Sequence, residues 1–387
     1  MLGLSSIRKK EKIVFVVDIG SGHVGYSLVE VRHKQTPVVL ASARAVLPIE
    51  ERTTAQVKSG IFSLLDEICK KASDAYAQIH SQQGLPSVSS SYAILQAPWS
   101  SSEIAHAETV LKKDERITSE LISSLAQQAL KADEKLDHKN LFEAGVVRVS
   151  LNGYPTKKPA GKLAHAVAVS TLISECKPEP LAKIKESLQR SFPSAKTNVY
   201  SRVRVLLSAL REMRPQSSDS MIIDVENEAT NCIVMRDGLI SEHFLVPEGT
   251  QTILKRIPGG MPEETLSLMR MLSRGTCSTP ECDKLKSSLA VAEPEIVRIF
   301  GDALGHLVSK SRLPNELLLI ADPALSDWLS TIFSRIDFSQ FTVTTKEFTP
   351  SVITAENLRG SVVSSGGTID PGLMLATSFV NTEEQST

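Results

Sequence analysis

The stretch Ile13-Val14-Phe15-Val16-Val17-Asp18-Ile19-Gly20-Ser21-Gly22-His23-Val24-Gly25 decides how the rest of the chain is read. Its first half is β-branched and apolar at both sets of alternating positions, so it belongs to a strand covered on two faces. An acid closes the run, and the glycines after it make a tight turn. Their spacing matches G-x-G-x-x-G, the dinucleotide pattern, which needs a helix directly after the glycines because the pyrophosphate sits on a helix N-terminus. Instead Tyr26 to Arg32 alternates as a second strand, and Val38 to Val46 reads as a third beyond the short connection 34–37. A Rossmann dehydrogenase is set aside on that ground. The sequence has no G-x-x-x-x-G-K-S/T, which removes an ordinary P-loop as well.

The opening is then repeated. Met221-Ile-Ile-Asp224-Val is a second buried-type strand ending in an acid, and Asn231 to Met235 and Leu239 to Val246 flank Arg236-Asp237-Gly238, where Asp-Gly signals a hairpin. Both copies place an aspartate at the same strand end, so the chain contains an internally duplicated supersecondary unit. Leu317 to Ala321 predicts a further short strand, turning at Asp322-Pro323, and Phe341 to Lys346 another. Apolar periodicity predicts helices over 55–80, 180–192, 202–210, 262–273, 294–310 and 371–379. Pro262 with Glu263 and Glu264 marks one helix start clearly. Glu383 and Glu384 read as part of a frayed acidic tail. Between the two copies, a Ser-rich stretch at 87–91 precedes a strand (93–96), a helix (119–130) and two strands (142–152, 163–171), which predict a compact inserted α+β unit over 89–174.

Composition narrows the function classes. The 387 residues fit two or three domains with cores of their own. Lys plus Arg (43) nearly cancel Asp plus Glu (44), so no global field draws nucleic acid or anionic lipid, and 5% aromatics leave little for a stacking platform. Nucleic acid is therefore not an expected partner. Five cysteines form no disulfide framework, and Cys277 and Cys282 read as isolated thiols in a reducing compartment. No stretch approaches the roughly 18 apolar residues that cross a bilayer. The chain reads as cytoplasmic, with Met1 to Lys10 a solvated terminus rather than a membrane contact. The basic residues Lys157, Lys158 and Lys162 read as a solvated loop, and Trp99 as packing beneath the inserted unit rather than as its interaction anchor.

A strand, an aspartate, a Gly-Ser-Gly turn and a hairpin suit a phosphate site of another kind. Glycines let backbone N–H groups approach a phosphate tail, and an acid at the strand tip holds a hydrated Mg²⁺ against it. Two such hairpins grip the tail from opposite sides. Val16-Val17-Asp18-Ile19-Gly20-Ser21-Gly22 resembles the first phosphate loop of the actin-like ATPase superfamily, and the inserted unit with its loop Asn152–Gly161 resembles the small interaction domain of the FtsA/PilM type. The resemblance implies an α/β fold of duplicated actin-like (ribonuclease H-like) domains around a cleft, with an inserted α+β (SHS2-like) domain. It implies a first domain over 10–88, completed by helices over 175–215, a second domain over 216–345 that is mainly helical at 251–309, and a return to the first domain over 346–387.

For ligands the same resemblance implies ATP or ADP with Mg²⁺, held by Asp18, Gly20, Ser21, Gly22, His23, Asp224, Thr230, Ala321 and Asp322, the metal contacting Asp18 through water. Its expected partners are proteins of the division or pilus machinery, reached through 89–174. Self-association is left open, and any membrane contact is indirect, at the inner face through a partner. This chain departs from the pattern where the second loop should be rich in glycine. Asp224-Val-Glu226-Asn227-Glu228-Ala229-Thr230 has none, and two carboxylates are expected to face the anion. The adenosine-side turn has become Ala321-Asp322-Pro323-Ala324, and the pair of glycines after the second hairpin has become Pro247-Glu248-Gly249-Thr250. The expectation is a scaffold with weak or lost ATP binding. The alternative is an active ATPase or sugar-kinase-like phosphotransferase, in which Asp224 orients water or substrate.

Overall fold

The computed structural model describes residues 11–49, 52–213, 219–237, 239–308, 312–335, 342–343, 346–367 and 369–386. The N-terminal segment 1–10 and most of the predicted break at 216–220 lie outside them. The chain opens with β1 (Lys12–Ile19), β2 (His23–Val31) and β3 (Val38–Val46), then α1 (Thr54–Gln83) and β4 (Val88–Leu95). The inserted unit follows as β5 (Ser101–Arg116), α2 (Ser119–Ala132), β6 (Leu141–Leu151), the two-residue β7 (Tyr154–Pro155) and β8 (Leu163–Glu175). The first half resumes with α3 (Pro178–Ser191), β9 (Lys196–Ser201) and α4 (Arg202–Met213). The second half runs through β10 (Ser220–Val225), β11 (Thr230–Arg236), β12 (Leu239–Val246), α5 (Thr250–Arg256), α6 (Pro262–Ser273), α7 (Pro280–Val308), β13 (Glu316–Ile320), α8 (Pro323–Arg335) and β14 (Thr349–Val352). It ends with α9 (Ala355–Leu358), β15 (Val363–Ser364) and α10 (Pro371–Ser386).

Pairing makes the duplication explicit. One sheet has the order β15-β3-β2-β1-β4-β9 and another β12-β11-β10-β13-β14, so β3-β2-β1-β4-β9 and its counterpart match strand for strand. In both, the first strand is antiparallel to the second and parallel to the one after the crossover. Asp18 and Asp224 are each the penultimate residue of their strand. Alternation then sorts side chains by layer. Ile13, Phe15 and Val17 enter the outer layer with α1 and α3, while Val14 and Val16 face the middle of the molecule. Ile222 of β10 does the same from the other side, and α4 and α10 fill the space through Val203, Leu206, Leu375 and Phe379. Two residues beyond Val16 and Ile222, the same parity aims Asp18 and Asp224 into that middle layer. The first strand is buried on both faces, as its unbroken apolar run predicts.

Several expectations need correcting. The strand expected to open the inserted unit, 93–96, belongs to β4 in the middle of the first sheet, paired with β1 and β9. The separate four-stranded sheet, β5-β8-β6-β7, starts at Ser101. An apolar parallel strand carries no mark of which neighbour it will pair with, and the Ser-rich stretch belongs to β4 from Val88 onward rather than marking a boundary. The helix expected from Pro294 begins at Pro280 and carries Pro294 in its interior. Leu285, Leu289, Ala292, Ile296, Phe300 and Leu304 keep one buried stripe across it, so packing outweighs the lost hydrogen bond. Cys277 and Cys282 form a disulfide rather than standing as isolated thiols, because the turn between α6 and α7 brings their Cα atoms within 5.7 Å. Cys69, Cys176 and Cys232 are buried free thiols. The tail at Glu383 and Glu384 is not frayed but helical. Half of the predicted strand 341–346 falls outside the described residues; Thr342 makes one bridge to Leu313.

Candidate functional site

Where the two duplicated hairpins meet, a cavity of about 300 Å³ is lined by Asp18, Gly22, His23, Asp224, Ala321 and Asp322, together with Arg44, Arg202, Arg270, Asn227 and Asp370. Six of the nine residues expected at a nucleotide site are thus brought to one place. Gly20 is turned away, its carbonyl accepting from Trp99 Nε1 at 2.8 Å. Trp99 packs in the outer layer of the first sheet, rather than beneath the inserted unit as expected. Ser21 sits behind Asn227, whose Nδ2 lies 3.4 Å from its hydroxyl. Thr230 is withdrawn into the second sheet, donating to the Glu248 carbonyl at 2.6 Å. Asp322 has a local role as well, accepting from the Ala324 N–H at 2.8 Å at the start of α8.

The strand-tip carboxylates are already occupied by this chain's own donors. Asp18 is fully buried, and both its oxygens accept from Gln96 Nε2, at 2.9 and 3.0 Å. Arg44 Nη2 donates to Asp18 Oδ2 at 3.0 Å and to Asp370 Oδ1 at 2.6 Å. Burial alone would raise the Asp18 carboxyl, but the His23 hydrogen bond and the charges of Arg44 and Arg202 outweigh it and hold the group well below the usual carboxylate range. Burial and Arg44 push His23 below its ordinary value, against the opposing pull of Asp18. Arg202, at the start of α4, reaches across to the second half. Its Nε and Nη2 grip Asp224 at 3.0 and 3.1 Å in a two-pronged pair. Burial by itself would weaken this guanidinium's hold on its proton. Asp224, Asp18 and Glu226 more than offset that, so Arg202 stays charged.

The glycine-poor second loop fills space rather than opening it. A Cβ on Gly22 would lie 2.6 to 2.8 Å from the Asn227 side chain, so Asn227 rests where the first loop would otherwise stay clear. Gly249 is needed because the backbone of Asn227 and Ala229 comes within 2.6 Å of the position a Cβ would take. Glu226 lines the cleft cavity too, but its carboxylate oxygens are held by this chain's own donors. Its Oε2 accepts from the Ala97 N–H and its Oε1 from Asn231 Nδ2, each at 2.8 Å. Burial first, and then Asp224, push its carboxyl well above the usual range. Glu228 borders a separate cavity with Trp99 and Lys58, contrary to the expectation that it faces the cleft.

These residues do not fit a metal–triphosphate group. A cation at Asp18 would compete with Arg44 for the same oxygen, and a phosphate tail would have to displace Asn227. Arg44, Gln96, Arg202 and Asp370 were missed from the sequence. They sit on β3, after β4, at the head of α4 and before α10, so only the folded arrangement assembles them. Among the described residues no cluster of His, Cys, Asp or Glu is arranged to hold a metal ion, and no helix is long and apolar enough to cross a membrane.

No protein-family profile matches the chain, and no curated protein matches it. Solved structures do. The chain is similar to one in the PilM–PilN type IV pilus biogenesis complex at 10% identity and a TM-score of 0.62, covering 95% of this chain and 98% of that one. It also matches the ethanolamine utilization protein EutJ from Carboxydothermus hydrogenoformans at 13% identity and a TM-score of 0.45, covering 97% and 91%. A third match is a ROK hexokinase from Thermus thermophilus, at 10% identity and a TM-score of 0.38, covering 97% and 100%. The fold is therefore actin-like, with two duplicated α/β domains around a cleft and an inserted α+β unit.

Proposed function

We propose that this chain is an actin-like scaffold of the FtsA/PilM type, acting in bacterial cell division or type IV pilus assembly by holding protein partners rather than by turning over nucleotide. One observation carries the reading: the carboxylates at both strand tips of the cleft are bound by Arg44 and Arg202, so the chain itself supplies the positive charge that a bound metal would bring. The likeness to the PilM–PilN complex over nearly the full length of both chains supports a partner-binding role. Partners bind through the inserted unit, and the chain reaches the inner face of the membrane only through them.

Calorimetry with ATP and ADP in the presence of Mg²⁺ tests this, on the wild type and on an Asn227→Gly variant that clears Gly22. No binding at micromolar strength is expected from the wild type. Micromolar wild-type binding would overturn the reading and reinstate an active ATPase or a sugar-kinase-like phosphotransferase with Asp18 on the metal and Asp224 on water or substrate.

A further inference from the structure

The inserted unit meets the second sheet where β5 and β6 lie against its edge strand β12. The contact is thin. Cavities of about 280 Å³ and 460 Å³ flank it, and His243 of β12 borders both. Its ring spans the gap: Nδ1 lies 3.1 Å from the Ser102 carbonyl of β5, and Nε2 lies 3.1 Å from Asn231 Oδ1 of β11. Asn231 in turn holds Glu226, whose other oxygen takes the Ala97 N–H. A continuous chain of hydrogen bonds therefore runs from the cleft loop to the inserted unit.

Proton counting makes this chain unusual. With the amide of Asn231 as placed, both ring nitrogens of His243 face acceptors, so every contact is made only by a doubly protonated ring beside an ionised Glu226. Turning the amide over exchanges its donor and acceptor ends. A neutral Glu226 then donates to Asn231, Asn231 donates to Nε2, and Nδ1–H donates to Ser102, again with nothing left unpaired. Both arrangements carry the same number of protons. Adding or removing one proton breaks a link in either.

We propose that Glu226, Asn231 and His243 form a proton-gated latch that fastens the inserted unit to the second sheet and ties its docking to the state of the cleft loop. The neutral arrangement is the one favoured by the surroundings. Burial pushes His243 down to about 4, helped by Lys135 and opposed by the Ser102 carbonyl, while burial and Asp224 push Glu226 up. The charged and titratable groups around the ring are Glu103 and His106 of β5, Lys135 beyond α2, which pairs with Glu103, Glu242 of β12 and Glu175 of β8, with Arg202 of α4 and Asp224 of β10 beside Glu226. Because the docked His243 value lies below the free one of about 6.5, its contribution is complete above that pH and is lost as pH falls through about 4. Glu226 has the opposite sign: its contribution is complete below about 4.5 and is lost as pH rises through its raised value. The two dependences offset each other between about 4.5 and 6.5, so docking is strongest there and weakens on either side.

Hydrogen exchange on the full chain, corrected for the intrinsic pH dependence, tests the latch through the amides of β5 and β12. His243→Phe is expected to lower their protection roughly two- to tenfold at pH 7, the worth of a neutral hydrogen bond, and to leave β10 and β13 unchanged. Glu226→Gln, which cannot ionise, is expected to keep docking protection at high pH where the wild type loses it. The wild-type His243 ring protons, followed by NMR, should titrate well below pH 6. Titration near 6.5, or β5 protection equal in wild type and His243→Phe, would overturn the proposal. If His243→Phe loosens β10 and β13 as well, the wild-type titration and the Glu226→Gln profile decide it.

Discussion

Arg202 is 4% exposed and Asp224 3%, so each depends on the other for compensation of a buried charge. Replacing Arg202 by Met strands the Asp224 carboxylate in the middle layer and also removes a positive charge that helps hold Asp18 ionised. The expected loss is about 3–5 kcal/mol at pH 7, measured by urea unfolding. Arg202→Lys should recover only part of it, because one ammonium cannot reproduce the two-pronged bond. At this scale the sequence was legible for the acids and illegible for the bases. Asp18 and Asp224 announce themselves by sitting at the ends of repeated strands. Arg44 is one polar residue among the small ones of β3, and nothing in its neighbourhood of the chain marks the partner it finds 26 residues away.

Among the elements, α10 runs past its sequence reading. Its acidic end read as a tail because Glu383 and Glu384 stand after the last apolar residues, yet both are bound to the first sheet. Tyr92 donates to Glu384 Oε1 and Lys12 to Oε2, each at 2.7 Å, and Tyr200 donates to Glu383 at 3.1 Å. Burial would raise the Glu384 carboxyl, but the hydrogen bonds from Lys12, Tyr92 and Ser90 lower it on balance. Glu384→Ala leaves the buried Tyr92 hydroxyl without its acceptor, and thermal unfolding should show a loss of about 1–3 kcal/mol. Since the folded carboxyl value lies below the ordinary one, that difference between wild type and variant should shrink as pH falls below about 4.5. Helix α7 teaches the same lesson from the other direction, since a proline that locally argues for a boundary sits inside a helix held by a continuous buried stripe.

For the whole molecule, the decisive geometry is that the inserted unit leaves and returns at one point. Ser101 and Glu175, its first and last strand residues, are direct cross-strand partners. Excising 101–175 and joining the ends with a short linker should leave the two large sheets folded, weakened by about 2–5 kcal/mol because Leu172 of the insert is buried in the central core. Cooperative unfolding with retained near-ultraviolet circular dichroism is the expected result; loss of both would show that the insert is integral to the core. The cut must avoid β4, most of which the sequence reading placed in the insert at 89–174 and which the structure places between β1 and β9.

The sequence by itself determined the covered strands, the hairpins, the duplication and the two acids at matching strand ends, because each is written in local periodicity and turn chemistry within about ten residues. The actin-like fold and its cleft rest on the resemblance that these features carry, not on the periodicity itself. Only the tertiary structure decided what fills that cleft. Arg44, Gln96, Asn227, Arg202 and Asp370 are brought together from five segments of the chain, and the charge balance they set depends on burial and distance. Neither quantity can be read from residue order.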